Sequence, residues 1–168
     1  MKRVLLHSCC APCSAPILEW MLNNDIVPTL FFFNPNIFPI EEYLKRKEEC
    51  IRYAKQLRVD FIDEDYNHDN WLQRIAGLEN QPERGMRCFQ CFKIRLEATA
   101  LFARENKFPV FTTTLAGSRW KSLTQIIEAG QQAATLVGRV DFWEKDWNRT
   151  TENTVGRKQL LQPTVLRL

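Results

Sequence analysis

The sequence predicts an α/β protein: one domain on a parallel sheet of four to five strands with helices on both faces. Three observations carry this expectation. Short apolar runs alternate along the chain with longer segments of helical period, the pattern of repeated strand–helix–strand units. The densest apolar run, Leu30-Phe31-Phe32-Phe33, shows no polar alternation, which suits a strand covered on both sides. The thiol-rich stretch His7-Ser8-Cys9-Cys10-Ala11-Pro12-Cys13 begins where the first apolar run ends, at the strand end where open α/β sheets hold ligands.

The elements follow in order. Val4 to Ser8 reads as the first strand, stopped by Pro12, because proline cannot continue an inner strand. A helix is expected over about Ala15 to Asn24, with Ser14 as N-cap, Pro16 in the first turn, and Ile17, Leu18, Met21 and Leu22 on its apolar face. Ile26 to Asn34 is the second strand, followed by the stiff loop Asn34-Pro35-Asn36-Ile37-Phe38-Pro39. The next helix, about Ile40 to Leu57, places Ile40, Tyr43, Leu44, Lys47, Ile51 and Ala54 along one side, with Cys50 beside them as a packed small hydrophobe.

Val59 to Ile62 is the third strand and runs into Asp63-Glu64-Asp65, read as a solvated edge. A short helix over Asn67 to Leu78 turns Trp71, Leu72 and Ile75 inward. A polar loop then leads to Arg87-Cys88-Phe89-Gln90-Cys91, and a helix runs from Cys91 to about Asn106, with Ile94, Leu96, Ala98, Leu101 and Phe102 as core candidates. Pro109 to Leu115 is the fourth strand, Arg119 to Ala134 the last helix, and Leu136 to Phe142 a fifth strand. Residues 1–147 make a single α/β catalytic domain, and 148–168 a polar, disordered tail, because Leu160 to Leu168 has neither period.

At 168 residues the chain suffices for one hydrophobic core. Its 45% hydrophobic and 26% charged residues are those of an ordinary globular protein, and a net charge of +3 favours anionic partners only mildly. No apolar run is long enough for a membrane span or a signal peptide, so a cytoplasmic location is expected. In that reducing compartment the six cysteines point to metal or redox work rather than to disulfides.

Cys10-x-x-Cys13 and Cys88-x-x-Cys91 each let one turn offer two sulfurs to a metal. A zinc ribbon separates its pairs by about 15–20 residues; here two strands and several helices intervene, so a metal would join distant turns of an independently built fold. Iron–sulfur, structural zinc and dithiol redox chemistry all suit these thiols. Cys9 and Cys10 can serve one centre only where the backbone leaves strand geometry, which Pro12 and the following helix arrange. His7 is either a packed, hydrogen-bonded imidazole or a proton-donating or orienting group. Arg84, Arg87, Lys93 and Arg95 surround the second pair with no acid between residues 84 and 95, and Lys121 follows the fourth strand beside Trp120. Cations interleaved with aromatics suit a nucleic acid, phosphates taking the charge and an extruded base stacking; an ordinary basic helix start is the alternative.

The motifs His7-Ser8-Cys9-Cys10-Ala11-Pro12-Cys13-Ser14, Phe33-Asn34-Pro35-Asn36-Ile37 with Pro39 and Glu42-Tyr43, Arg87-Cys88 with Cys91, Arg95-Leu96, Thr99-Ala100, Thr113-Thr114-Leu115 with Ser118 and Lys121, and Asp146-Trp147 together resemble the QueH family of epoxyqueuosine reductases. The resemblance implies a nucleotide-α-hydrolase-like, Rossmann-like fold. It implies an oxidoreductase that reduces epoxyqueuosine at the tRNA wobble position to queuosine, the last step of queuosine biosynthesis, without cobalamin and with electrons from a donor not identified. It also implies a 4Fe–4S cluster on Cys9, Cys10, Cys88 and Cys91 and an additional iron with Cys13 as ligand. His7, Cys13 and Tyr43 are then the catalytic candidates, and Arg84, Arg87, Lys93, Arg95 and Lys121 the tRNA contacts.

Two readings compete: a zinc-stabilised RNA-binding module without catalysis, and a PP-loop-like tRNA-modifying enzyme. The latter wants a glycine-rich phosphate loop where Cys9-Cys10-Ala11-Pro12 stands. The resemblance departs after Trp147. Family members continue with basic residues and a tyrosine-rich stretch carrying Cys-Gly-Cys, whereas here no cysteine follows Cys91. A divergent or truncated C-terminus is expected, affecting site closure and tRNA docking.

Overall fold

The computed structural model describes residues 2–64 and 66–151. Asp65 of the acidic run, and all but the first residues of the expected tail, lie outside them.

Five strands, β1 (Lys2–His7), β2 (Ile26–Phe32), β3 (Asp60–Asp63), β4 (Val110–Thr113) and β5 (Asp141–Phe142), form one sheet in the order β3-β2-β1-β4-β5. Every pairing is parallel, with Leu6 opposite Leu30 on one side and Thr112 on the other. The helices are α1 (Ala11–Asn23), α2 (Ile40–Leu57), α3 (His68–Arg74), α4 (Met86–Glu105), α5 (Leu123–Val137) and α6 (Trp147–Thr150). Right-handed crossovers put α1 and α2 together on one face and α4 and α5 on the other. The central strand is accordingly sealed, with Val4, Leu5 and Leu6 fully buried. The predicted α/β architecture is the one the chain adopts.

Several boundaries differ from expectation, each for a local reason. Helix α1 starts at Ala11, before Ser14: Cys10, in extended conformation, occupies the N-cap, and Pro12 falls in the first turn, where no N–H partner is needed. Ser14 is a buried relay instead, its hydroxyl donating to the Cys10 carbonyl at 2.7 Å and accepting from Ser8 at 2.6 Å. Pro16 lies inside α1, where it removes the N–H that would reach the Pro12 carbonyl. Helix α4 starts at Met86, so both Cys88 and Cys91 are helical.

The fourth strand ends at Thr113 and gives way to a 3₁₀ turn, Thr114–Gly117. The fifth strand is only Asp141–Phe142, because α5 runs on to Val137. Leu22, Ile40, Leu44, Leu72 and Leu101, all expected inward, are exposed; on α2 the buried face is Tyr43, Cys50, Tyr53 and Ala54.

The first residues of the expected tail belong to the fold. Helix α6 follows its cap Asp146, and Trp147, completely buried, packs against Trp20 of α1 and Trp143 with ring centroids 5.7 and 5.3 Å apart. On the opposite face of the sheet, Gly130 lets α5 lie on β5: a Cβ there would stand 2.5 Å from the Phe142 ring. No helix among the described residues is long and apolar enough to cross a membrane.

Candidate functional site

The ends of β1, β2 and β4 converge on one edge of the sheet, and the chemistry collects there. Cys9 leaves β1, Cys10 caps α1 and Cys13 sits in its first turn, so extended and helical geometry meet at these residues. The three sulfurs lie within 4.8 Å of one another. Three soft, partly buried thiols so close form a donor set suited to a thiophilic metal. The amino end of α1 adds a positive partial charge that favours thiolate.

The thiols share their protons unequally. Hydrogen bonds from Cys10 and Cys13, outweighing burial and assisted by Thr114, hold Cys9 well below the ordinary thiol range. At Cys10 the hydrogen bond from Cys13 acts downward, but the Cys9 charge and burial prevail and push it up to about 12. Cys13 is raised further still, since it donates to both neighbours and is desolvated. Cys9 is thus the most readily ionised thiol of the cluster, and its backbone N–H and sulfur both lie against the Thr114 hydroxyl, at 3.3 and 3.4 Å.

Cys88 and Cys91 are not within this 4.8 Å group. Cys91 is linked toward it through Arg95. The Arg95 guanidinium is buried, lies 3.9 Å from the Cys91 sulfur and donates to the Asn34 side-chain oxygen at 3.3 Å. Asn34 in turn donates to the Ser8 carbonyl at 2.9 Å, which closes a polar chain from α4 to the end of β1. Among the ion pairs found in the described residues, none gives Arg95 a carboxylate, and its Nε has no partner. A buried cation needs an anion, and the nearby sulfurs are the groups able to supply one.

His7 is fully buried. Nε2 donates to the Phe33 carbonyl at 3.0 Å, which fixes the tautomer, so Nδ1 accepts from the Thr113 hydroxyl at 2.9 Å. Burial first, and the Arg95 charge second, lower its pKa to about 4, so the ring is neutral at pH 7. Tyr43 is also buried, its ring 4.0 Å from Tyr66 and 5.5 Å from Phe32, with the Lys47 ammonium 5.3 Å away. Cys50 is buried and its thiol donates to Ser8, with burial pushing its pKa up.

A cavity of about 350 Å³ opens beside Cys88 and Cys91 and is lined by Arg84, Arg87, Arg95 and Lys121 among others. The structure thus brings together four of the five cations expected at a nucleic acid, but in unequal roles. Arg84 is exposed, Arg87 and Lys121 are half-buried, and Arg95 is sunk among the thiols. Lys93 points elsewhere: it stands over the Phe89 ring and borders a groove with Glu97 and Gln131. Of the acidic run, Asp63 pairs with Lys47 at 3.1 Å. Sequence reasoning named Asn34, Thr113 and Thr114 within the motifs but overlooked their hydrogen bonds to Ser8, His7 and Cys9, although all sit at strand ends on the same edge. It also overlooked Trp71 and Gln125, which line the cavity from α3 and α5.

The chain is similar to known proteins along most of its length. Proteins described as epoxyqueuosine reductase QueH from Acinetobacter baylyi and Haemophilus influenzae are each 48% identical to the chain over 88% of its length. The chain spans 67% and 60% of those proteins. A third, from Thermotoga maritima, is 30% identical over 89% of the chain and 77% of its own length. A solved structure described as a predicted subunit of a tRNA methyltransferase from Methanocaldococcus jannaschii shares the fold, with a TM-score of 0.58, 12% identity, and coverage of 90% of this chain and 75% of that one. The model of the family described as "Epoxyqueuosine reductase QueH" matches residues 4–162, past the Asp146-Trp147 motif, and the chain belongs to that family.

Proposed function

We propose that the chain reduces the epoxide of epoxyqueuosine in tRNA to the alkene of queuosine, in the cytoplasm and without cobalamin. Two electrons come from a partner reductant; with two protons they remove the epoxide oxygen as water while the carbon–carbon double bond forms. The observation that carries this reading is the buried cation Arg95, which has no carboxylate partner, lies against the Cys91 sulfur and is joined through Asn34 to the thiol-bearing end of β1, an arrangement that calls for an electron-rich thiolate centre.

The proposed ligands are Cys9, Cys10, Cys88 and Cys91 for a 4Fe–4S cluster, with Cys13 for an additional iron. Such a cluster, when bound, supplies electrons one at a time. The residues' own work is then definable. Arg95 compensates the negative charge of the thiolates and keeps Cys91 turned toward the group at the end of β1. His7, with both nitrogens engaged, is assigned an orienting role, tying β2 and β4 to β1 beneath the thiols. Tyr43 supports that layer from α2. Protons are assigned to water entering the cation-lined cavity. Arg84, Arg87 and Lys121 bind phosphates of the anticodon arm around the cavity mouth.

The test is anaerobic purification with iron and acid-labile sulfide analysis, followed by assay on tRNA bearing epoxyqueuosine with a chemical reductant. Iron and sulfide in about equal amounts and conversion to queuosine are expected. Cys9→Ala and Cys88→Ala should lose both, and Cys50→Ala should keep both. Zinc without sulfide would instead favour a zinc-stabilised RNA-binding module, and full iron in Cys88→Ala would remove that residue from the ligand set.

A further inference from the structure

We infer that the cavity beside Cys88 and Cys91 reads a purine with a guanine-type edge, using polar atoms of Trp71, Asn36, Gln125 and Arg95 that have no partner within the protein. This rests on the proposed function for the source of the base, a nucleotide extruded from RNA, and on the cavity itself for the choice of base.

The argument begins with unsatisfied atoms. Buried polar groups are almost always hydrogen-bonded, and one left without a partner is costly. Five buried side-chain atoms among the described residues have none, and four belong to residues lining this one cavity. They are two donors, Trp71 Nε1 and Arg95 Nε, and two acceptors, Asn36 Oδ1 and Gln125 Oε1. They come from four separate segments: the loop after β2, α3, α4 and α5. The concentration of missing partners in one concavity marks a polar ligand that supplies them.

The pattern selects the ligand. A guanine-type edge offers one acceptor, O6, followed along the edge by donors at N1 and N2, so it requires at least one donor and two acceptors from the protein. The cavity has the two acceptors and a donor to spare. An adenine edge offers one donor and one acceptor there, so it would leave both a donor and an acceptor of the protein unpaired, against one donor for the guanine-type edge. The 7-deazaguanine core of epoxyqueuosine carries the guanine-type edge.

The Gln125 acceptor is held in place, since its Nε2 donates to the Arg84 carbonyl at 2.6 Å, which leaves Oε1 turned away from that bond. Two further features suit an extruded base. Trp120 is 83% exposed at the rim, the largest apolar side chain left in solvent, and an indole face is a stacking surface for any base. The volume of about 350 Å³ lies in the range of small-ligand sites.

The experiment measures binding of the full chain to anticodon stem-loop RNAs that carry either 7-deazaguanosine or 7-deazaadenosine at the wobble position. The wild-type protein should prefer the 7-deazaguanosine RNA by roughly tenfold or more, the cost of an unpaired buried group. Trp71→Phe removes the indole N–H together with the five-membered part of the ring and keeps an aromatic side chain, and Asn36→Leu replaces the amide by an apolar group of similar size. Each should weaken binding of the 7-deazaguanosine RNA by about tenfold and leave the other RNA unchanged, with circular dichroism confirming the fold. Equal affinity for the two RNAs, whether tight or undetectable, overturns the inference, as do unchanged affinities in both variants. Reduction of epoxyqueuosine, assayed on the same preparations, separates the two conclusions. Base preference without reduction would overturn the proposed reaction and keep the reading pocket; reduction without base preference would do the reverse.

Discussion

One hydroxyl at the end of β4 serves two buried groups. Thr113 accepts the Leu115 N–H at 3.1 Å and donates to His7 Nδ1 at 2.9 Å, all at positions closed to water. Thr113→Val keeps the shape and strips both bonds, so two buried polar groups lose their partner at about 1–3 kcal/mol each. The expected loss is about 3 kcal/mol, seen as a lower urea midpoint at unchanged slope, with Thr113→Ser recovering most of it. A valine variant within about 0.5 kcal/mol of wild type would show that His7 is held by its other contacts. At this scale the thiols of the first motif were legible, because Cys-x-x-Cys spacing has a direct chemical meaning. Arg95 was harder to place, because a count of basic residues ignores direction. Cys88, Cys91 and Arg95 lie three and four apart, so they share one face of α4 and go inward together, while Lys93 faces away.

Elements were legible where period and punctuation agreed. Helix α2 runs from Ile40 to Leu57 as its pattern predicts, since Pro39 precedes it and the chain turns left-handed at Arg58. That C-cap, with φ 58°, is a conformation that glycine adopts without penalty. Arg58 is exposed, so Arg58→Gly should raise stability by about 0.5–1 kcal/mol, measured by chemical denaturation; a loss would show that the side chain contributes more than its backbone strain costs. Where elements were misread, proline and cysteine misled. Pro12 looks like a stop but begins α1, and Cys88 looks like part of a loop but stands within α4. Both starts lack a side-chain cap, the signal that sequence reading depends on.

At the scale of the whole molecule, parallel pairing in the order β3-β2-β1-β4-β5 gathers the ends of the three inner strands on one edge, and two helices on each face hold them there. The sheet order was implied by alternation; the cavity was not, because its walls come from segments far apart in sequence, joined only by packing. Gly130 bears on those walls without touching them. Its missing side chain is what seats α5 on Phe142, and Gln125 rides the same helix five residues away, about 7.5 Å along the axis. Gly130→Ala should cost about 1–3 kcal/mol by overpacking and weaken discrimination between the two wobble bases, both measurable on one preparation; unchanged discrimination would show that α5 yields locally around the new methyl. A single methyl group withheld beside β5, its place taken by the Phe142 ring, therefore acts as a setting for the distant cavity, and anyone redesigning which nucleoside this scaffold accepts has a handle there that leaves every lining residue untouched.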